Sequence, residues 1–284
     1  MAGAESPSGP VRLTFRRRGR IAGWDWDSFR ASSAALERHA KRPLKGARVL
    51  DLGCGPRFPA TLLFHSFGAR VTGIDLDVLP PGEWPRLFRP GGPARFARAL
   101  ARRCLFDPGY YRALRLRAGR PLRFQGLDLR RMDAGRLDFP DGEFDLVHST
   151  AVFEHLEDVP AAVRETARVL APSGVAVVVI HLFPSLSGGH HPEWAFPDEE
   201  IVRRVPPWDH LRGNLFPAGV PLNRRREREF REAVEAAFEI AGEERFTEGE
   251  GLLTPEIERE LPGYGRAELT TRAVRWVLAR KPRG

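Results

Sequence analysis

Cysteine, lysine and methionine are scarce in this sequence of 284 residues. The two cysteines, Cys54 and Cys104, are too few for a scaffold of disulfide bonds, so a cytoplasmic protein is expected. The longest apolar run, residues 175–180, is far too short to cross a bilayer, and no membrane span is predicted. The first residues also lack the charged and apolar regions of a signal peptide. These shortages argue against a secreted disulfide-rich protein and against a membrane-spanning one.

The overall composition is that of an ordinary globular protein. Hydrophobic residues make up 42% of the chain and charged residues 29%. The net charge is +8, but 42 of the 45 basic residues are arginine, and arginine with abundant alanine, glycine and proline reflects a GC-rich genome. The charge is therefore a weak argument for nucleic acid binding. Arginine does pair well with carboxylates and phosphates, which leaves an anionic small molecule open as a substrate.

A strand, a glycine turn, a helix and a second strand follow one another after residue 47. Residues 48–52 predict a strand that leads into Gly53-Cys-Gly55, and residues 71–75 predict the next strand. A helix is expected between them, and such a βαβ unit implies a parallel sheet. The glycines let a ligand approach the backbone closely, and the N-terminus of the helix favours an anionic group.

Asp75 ends the second of these strands, 20 residues after Gly55. An acidic residue at this place can hold both hydroxyls of a ribose, so a cofactor that contains a nucleoside is predicted. The dinucleotide pattern Gly-x-Gly-x-x-Gly requires a third glycine where this sequence has Phe58, and Pro56 and Arg57 also crowd the turn. A pyrophosphate therefore fits poorly, which disfavours an NAD-dependent oxidoreductase.

The chain divides into an N-terminal arm and helix, residues 1–44, and a main domain, residues 45–284. In the arm, a frayed tail is expected over residues 1–20 and a helix over residues 28–40. The main domain continues with strands predicted at 127–132, 144–148, 175–180 and 267–279 and helices predicted at 159–170 and 224–238.

Two segments interrupt the alternation of strands and helices. Residues 78–122 are rich in proline and glycine, include an amphipathic helix predicted at 94–106, and are interpreted as an inserted lid or partner surface. Residues 183–223 are rich in proline, glycine, histidine and tryptophan, and are interpreted as a cap over the substrate. Arginines in both segments weakly favour an anionic or sugar-like substrate.

Four motifs in order, at nearly the expected spacing, resemble those of class I S-adenosylmethionine-dependent methyltransferases, in particular the broad type 11-like subgroup with many small-molecule enzymes. They are VLDLGCGP at residues 49–56, VTGIDL at 71–76, MDA at 132–134 followed by LDFPDGEFDLV at 137–147, and FEHLEDV at 153–159 followed by ARVLAPSG at 167–174. The resemblance covers residues 45–182, with a weaker echo at 224–280. Many members have a further glycine where Arg57 or Phe58 stands here.

The resemblance implies an α/β, Rossmann-like fold: a mostly parallel seven-stranded sheet with helices on both faces and an antiparallel last strand. It also implies S-adenosyl-L-methionine as the cofactor and S-adenosyl-L-homocysteine as the product. In such a site Asp75 holds the ribose, Asp133 accepts from the adenine amine, and Ser149 lies near the methionine end. The full set of cofactor-binding residues that it implies is Asp51, Gly53, Cys54, Gly55, Asp75, Leu76, Asp133, Ala134 and Ser149.

Histidines provide the candidates for the acceptor side of the reaction. Methyl transfer depends on alignment and on excluding water, and it needs a base only where the acceptor carries a proton that must leave. His181 ends a predicted strand, and His190 and His191 follow a flexible Ser-Gly-Gly sequence. These three residues are the predicted catalytic residues. His148 is expected in the core, and His155 is expected to pack near a helix start.

The predicted function is therefore methyl transfer to a small-molecule acceptor, with oxygen favoured over nitrogen. No recognisable spacing of cysteines, histidines and carboxylates indicates a metal centre, so none is predicted. No RNA-binding module is recognised, and a nucleic acid substrate is not expected. The alternatives are an RNA or protein methyltransferase, an NAD-dependent oxidoreductase, and a non-catalytic protein that binds the cofactor. The sequence does not predict the oligomeric state.

Overall fold

A computed structural model describes residues 17–76, 78 and 106–281 of the chain. Within these residues a seven-stranded sheet is flanked by helices. The helices are α1 Arg18–His39, α2 Pro59–Ser66, α3 Asp107–Ala118, α4 Val159–Val169, α5 Glu227–Glu235, α6 Pro255–Glu260 and α7 Arg266–Thr270. The strands are β1 Arg48–Leu52, β2 Arg70–Asp75, β3 Asp128–Arg131, β4 Phe144–Thr150, β5 Leu170–His181, β6 Phe238–Thr247 and β7 Thr271–Arg280.

The strand order in the sheet is β3-β2-β1-β4-β5-β7-β6. Strands β1 to β5 pair in parallel, and β7 inserts antiparallel between β5 and β6. This arrangement confirms the predicted Rossmann-like α/β fold with an antiparallel last strand. Because the order reverses between β1 and β4, the carboxyl ends of these two strands border a crevice of the kind in which ligands bind in open α/β sheets.

The central strands match their predicted positions within a few residues because they are buried on both faces. The strand β5 places residues 175–180 between two apolar layers, and each of these side chains is at most 2% exposed. Strands of this kind read as continuous apolar runs. The sequence Pro-Ser-Gly at residues 172–174 lies inside β5. The helix α4 already ends at Val169.

The first helix begins ten residues before its predicted start at residue 28. Ala22, Phe29 and Leu36 lie on one buried face of α1, since they are spaced seven residues apart, and Ala22 extends that face toward the N-terminus. The side chain of Arg17 is buried and pairs with Glu199 at 2.6 Å. Residues 17–20 are therefore not part of a frayed tail, and the remainder of the predicted tail lies outside the described residues.

Part of the predicted insertion belongs to the core. The side chains of Phe106, Tyr110 and Leu114 are buried beside α1, in the cluster that also contains Phe29 and Phe64. The hydroxyl of Tyr110 donates to the half-buried carboxylate of Asp25 in α1. The helix predicted at 94–106 lies outside the described residues except for its last residue, so the interpretation as a lid stays a prediction.

The C-terminal third differs most from its predicted elements. The helix predicted at 224–238 is present only over Glu227–Glu235, and the strand β6, which starts at Phe238, has no counterpart among the predicted elements. The final strand begins at Thr271 rather than at residue 267. Residues Arg266–Thr270 are helical because the Glu268 carboxylate accepts a hydrogen bond from the Gly265 N–H at 3.0 Å and caps that turn.

Candidate functional site

The glycine loop between β1 and α2 is held against the next strand. The N–H groups of Gly53 and Cys54 both donate to the carbonyl oxygen of Ile74 at 2.9 Å. Gly53 has φ +79°, and a Cβ at this position would overlap Cγ2 of Val152. Gly55 has φ +64°, and a Cβ there would meet no atom of the described residues within 4 Å. The first glycine is thus required by packing, whereas the second leaves open space above the loop.

Phe58 replaces the third glycine of the dinucleotide pattern and adopts a glycine-like backbone. It is the residue before α2 and has φ +41° and ψ +49°, in the left-handed region. The guanidinium of the preceding Arg57 lies over the ring of Tyr110, 4.7 Å from its centroid, and the Arg57 carbonyl accepts from the hydroxyl of Tyr111 at 3.0 Å. Helix α3 thus braces the loop from the side of the predicted insertion.

Asp51 orients the start of helix α2. Its carboxylate oxygen Oδ2 accepts from the backbone N–H of Thr61 at 2.8 Å and from the Thr61 hydroxyl at 2.6 Å. The side chain is buried, and burial raises the pKa of Asp51 to about 7. The predicted cofactor-binding residue therefore acts on the loop through α2, and its neighbour Cys54 is buried beside β2.

Asp75 closes the loop from the end of β2. Its Oδ2 accepts from the Gly55 N–H at 2.9 Å, so the carboxylate lies at the edge of the open space above Gly55. The following residue, Leu76, is 58% exposed. An acidic group and an exposed apolar side chain at this position suit the hydroxyls of a ribose and the face of a base.

Three further predicted residues lie just after β3 and near the end of β4. Asp133 is exposed and forms a turn in which its Oδ1 accepts from the Gly135 N–H at 2.8 Å, with Ala134 buried at the turn's centre. Ser149, near the end of β4, is 1% exposed, and its hydroxyl has no hydrogen-bond partner among the described residues. An unpaired buried hydroxyl at a strand end is a group that a ligand can satisfy.

His148 belongs to the core, as predicted from the alternation of β4. Its Nδ1 lies 2.8 Å from the Ser32 hydroxyl of α1, its Nε2 lies 3.3 Å from the Thr150 hydroxyl, and its ring packs edge-on against Phe64. Burial lowers the pKa of His148 to about 3. The neutral imidazole thus joins α1 to the sheet.

His181 and His190, two of the three predicted catalytic residues, come together at the end of β5. Their ring centroids are 5.0 Å apart. The loop that follows β5 turns back on itself at Gly188, where a Cβ would overlap the carbonyl oxygens of Leu182 and Phe183. His190 itself has φ +57°, an uncommon conformation for a residue with a side chain.

His191 points elsewhere. Its Nδ1 accepts from the Glu193 N–H at 3.2 Å, and the residue lines a small depression of the 183–223 segment together with Trp194, His210 and Phe216. Its contacts are thus with this segment, whereas His190 packs against His181.

A buried carboxylate joins the histidine pair, and it is absent from the predicted residues. Glu154 lies on a short 3-10 turn, Phe153–His155, after β4 and is 2% exposed. Asn223 holds that turn, since its amide Nδ2 donates to the carbonyl oxygens of Phe153 at 2.7 Å and Leu156 at 2.9 Å. Burial raises the pKa of Glu154 to about 8. In the sequence, only the place of Glu154 in the motif FEHLEDV at residues 153–159, directly before a histidine, indicates that it belongs to the site.

Burial also acts on the two histidines. It lowers the pKa of His181 well below its usual range and the pKa of His190 to about 4. Both imidazoles are consequently neutral near pH 7 in this site.

A hydrogen-bonded chain fixes the orientation of His181. The hydroxyl of Ser187 lies 2.7 Å from Glu248 Oε1 and 2.9 Å from His181 Nε2. Since Glu248 can only accept when ionised, the hydroxyl donates to it and accepts from the Nε2–H of His181. This tautomer leaves the lone pair of His181 on Nδ1. Neither Ser187 nor Glu248 is among the predicted site residues, because both act through His181.

The residues of the loop fit S-adenosylmethionine, the cofactor that the resemblance implies. Within the part of the chain that the structure describes, open space lies above Gly55, the Asp75 carboxylate lies at its edge, and the Ser149 hydroxyl is buried without a partner at the neighbouring strand end. These features define a nucleoside-binding α/β domain of the class I methyltransferase type.

Comparison with known proteins agrees with that class. Residues 26–237 match the sequence profile of a family described as Methyltransferase domain. The chain therefore belongs to the class I S-adenosylmethionine-dependent methyltransferase family. None of the described helices is long and apolar enough to span a membrane.

Similar proteins include both O- and N-methyltransferases. The chain is 28% identical to tocopherol O-methyltransferase of Arabidopsis thaliana over 57% of its own length and 37% of that protein's. It is 38% identical to ajmaline N-methyltransferase of Rauvolfia serpentina over 56% of its own length and 44% of that protein's. The chain thus spans less than half of the length of both relatives. A solved S-adenosylmethionine-dependent methyltransferase from Mesorhizobium loti is 22% identical, with 87% of this chain and 96% of that chain covered and a TM-score of 0.47.

Proposed function

We propose that this protein transfers a methyl group from S-adenosyl-L-methionine to a hydroxyl oxygen of a small molecule. The observation that carries the proposal is the placement of two sets of residues at the carboxyl edge of one sheet. The glycine loop and Asp75 lie at the ends of β1 and β2, and the pair His181 and His190 lies at the end of β5. A cofactor site and a group of imidazoles at the same edge suit transfer to a protic acceptor.

On the cofactor side, the residues bind and orient. When bound, S-adenosylmethionine supplies a methyl group on a sulfonium centre, which is open to attack by an oxygen lone pair. Asp75 would hold the ribose hydroxyls, Asp133 and Ala134 would meet the adenine, and Ser149 would donate to the methionine end. Asp51 would keep α2 and the loop in place through its two hydrogen bonds from Thr61. Such alignment supplies a large part of the rate of a displacement reaction.

On the acceptor side, we propose that His181, His190 and His191 contact the small molecule. His181 and His190 present imidazole nitrogens to a buried position, while His191 lies on the segment 183–223, which would close over the acceptor and exclude water. Because a hydroxyl must lose its proton during methyl transfer, nitrogen lone pairs near it favour oxygen as the acceptor atom. The relative that methylates tocopherol at oxygen supports the same choice.

The acceptor's charge has weaker support. The arginines of the 183–223 segment would favour an anionic or sugar-like compound, but Arg203 donates to the carbonyl oxygens of Phe196, Pro197 and Glu199, and Arg212 pairs with Glu260. These two arginines therefore offer a ligand little free charge.

The low cysteine count favours a cytoplasmic location.

Amine methylation is the second candidate, because the N-methyltransferase relative has the higher identity of the two, 38% against 28%. Calorimetric titration with S-adenosylmethionine, S-adenosylhomocysteine and NAD tests the cofactor. Micromolar binding of the two adenosyl compounds and none of NAD is expected.

Transfer of a labelled methyl group to matched panels of phenols, alcohols and amines then tests the acceptor. Products only from amines would overturn the choice of oxygen, and binding of NAD alone would overturn the proposed activity.

A further inference from the structure

We infer that Glu154, His181 and His190 form a binding site for one divalent cation of the zinc type, with a coordination position open to the acceptor. The three residues each offer one ligand atom, and these atoms all lie within 4.8 Å of one another. They come from two separate parts of the chain, the turn after β4 and the end and following loop of β5. The binding itself does not depend on the proposed function.

Unpartnered polar atoms at the centre of the group point to a missing ligand. Glu154 is 2% exposed, and its carboxylate oxygens have no hydrogen-bond partner among the described residues apart from weak contacts with the backbone N–H groups of Glu154 and His181. The Nε2 atom of His190 is likewise buried and unpaired. A buried carboxyl group is costly to ionise unless it gains a partner, and a bound metal ion is one partner that would satisfy it.

The surroundings orient the histidines as a metal site requires. The chain from Glu248 through Ser187 holds Nε2 of His181 and leaves the lone pair on Nδ1. In metal centres, the ring nitrogen of a ligating histidine that does not bind the metal is usually held by a hydrogen bond, which fixes the tautomer and the ring. Here Glu248 supplies such a hydrogen bond through the Ser187 hydroxyl. His190 is held above His181 by a loop that only glycine permits at position 188, and it keeps a left-handed backbone. Strain of this kind concentrates at functional sites.

The donor set selects the kind of cation. Two imidazoles and one carboxylate suit zinc and similar transition metals, whereas magnesium and calcium prefer oxygen ligands. Zinc is bound at about 2.0–2.2 Å from nitrogen and oxygen, which requires the three side chains to move together by about 1 Å. Three protein ligands leave a fourth position open, as in catalytic zinc sites.

The open position deepens the proposed function, on which this one step rests. An acceptor hydroxyl bound there would have its pKa lowered by the cation, and its O–H bond would break with the proton leaving to solvent. The oxygen would retain the electron pair for the attack on the methyl group. Glu154, His181 and His190 would then act on the acceptor through the cation.

Titration of the full chain, without an affinity tag and after treatment with a chelator, tests the site. Zinc ions are added in competition with a chromophoric chelator, in the absence of methyl donor and acceptor. One equivalent is expected to bind with a Kd below about 1 μM, with Mg²⁺ unable to displace it. Replacement by Co²⁺ is expected to give visible absorption bands of a nitrogen- and oxygen-ligated site.

The variants Glu154→Gln and His190→Ala should each weaken zinc binding at least about tenfold, and Ser187→Ala should weaken it about 10-fold to 100-fold by freeing His181. Glu154→Gln keeps the shape of the side chain and an oxygen that can accept from the nearby backbone N–H groups, so the fold should survive, which circular dichroism checks. His39→Ala is the control, because His39 is exposed at the end of α1, away from the cluster.

Absence of stoichiometric zinc binding, or an affinity unchanged in Glu154→Gln and His190→Ala, would overturn the inference. Binding of S-adenosylhomocysteine, measured separately, tells whether the proposed function fails as well.

Discussion

The carboxylate of Asp75 accepts a hydrogen bond of 2.9 Å from the backbone N–H of Gly55, twenty residues earlier in the chain. The end of β2 is thereby tied to the glycine loop at the end of β1, and the same carboxylate borders the open space above that loop. One acidic residue thus shapes the loop and offers the charge that a ribose would meet. The two roles can be separated by substitution.

Asp75→Asn retains an oxygen that can accept from Gly55 but loses the charge, whereas Asp75→Ala loses both. Hydrogen bonds to a charged group contribute about 1.5–3 kcal/mol, so Asp75→Asn should weaken S-adenosylhomocysteine binding about 10-fold to 100-fold with little change in stability. Asp75→Ala should weaken binding at least as much and also lower the unfolding midpoint. Calorimetry and denaturant unfolding measure the two effects, with the exposed Asp138→Asn as a control for the change in net charge. Equal affinities for the Asn variant and the native protein would contradict the ribose assignment.

The two glycines of the loop should respond differently to alanine. Both have positive φ, which costs an alanine about 1–2 kcal/mol, but only at Gly53 would the new methyl group overlap a neighbour, Val152. Gly53→Ala should therefore destabilise the protein by more than Gly55→Ala. Gly55→Ala should instead reduce cofactor affinity, because its methyl group enters the open space above the loop.

Urea unfolding and calorimetry of both variants check this pair of outcomes. The double variant Gly53→Ala with Val152→Ala serves as the control, since it removes the overlapping Cγ atoms and should recover part of the lost stability. No recovery would mean that the backbone conformation, and not the contact with Val152, makes glycine necessary at position 53.

Much of the site could be predicted because its residues lie next to one another in the sequence. Buried parallel strands read as apolar runs, and the loop and the acidic residue follow directly after two of them. Asp51, Gly53, Gly55 and Asp75 therefore lie where the βαβ pattern places them, at one edge of the sheet. Residues whose position depends on the ends of regular elements are accessible to this kind of reasoning.

The proposed acceptor side could be predicted only in part, because its arrangement depends on how loops return to the sheet. His181 ends a strand and was identifiable, but its contact with His190 requires the tight turn at Gly188. Glu154 joins them from another strand end, and nothing in the spacing of the three residues indicates this. The strand β6 was missed for a related reason: as an edge strand it carries charged residues on its exposed positions and resembles a solvated helix face.

The buried Asp51 predicts a dependence of stability on pH. Its folded-state pKa of about 7 lies above the value of about 3.9 in the unfolded chain, so between these values the folded protein binds a proton that the unfolded chain has lost. The contribution of this group is fully present below about pH 4 and is lost as the pH rises to about 7. The loss is of the order of 4 kcal/mol at about 1.4 kcal/mol per pH unit.

Asp51→Asn removes that proton but keeps an oxygen able to accept both hydrogen bonds from Thr61. The free energy of unfolding of the variant should fall less between pH 4 and 7 than that of the native protein. Urea unfolding at intervals of half a pH unit measures the difference between the two curves, in which the other titrating groups cancel. Parallel curves would show that Asp51 is ionised in the folded protein over this range.

The link between Ser32 and His148 is structural, and its removal should change stability without changing cofactor binding. Ser32→Ala leaves the buried Nδ1 of His148 without a partner, which costs about 1–3 kcal/mol. Ser33→Ala is the matched control, because the Ser33 hydroxyl donates only to the Phe29 carbonyl of its own helix and the change should stay within about 0.5 kcal/mol.

Unfolding followed by tryptophan fluorescence and binding of S-adenosylhomocysteine give the two readouts. Replacing both partners, in Ser32→Ala with His148→Phe, should cost less than the sum of the single changes, since neither the Ser32 hydroxyl nor the His148 Nδ1 is then left buried without its partner. Loss of cofactor affinity in Ser32→Ala at unchanged stability would instead place His148 in the binding site.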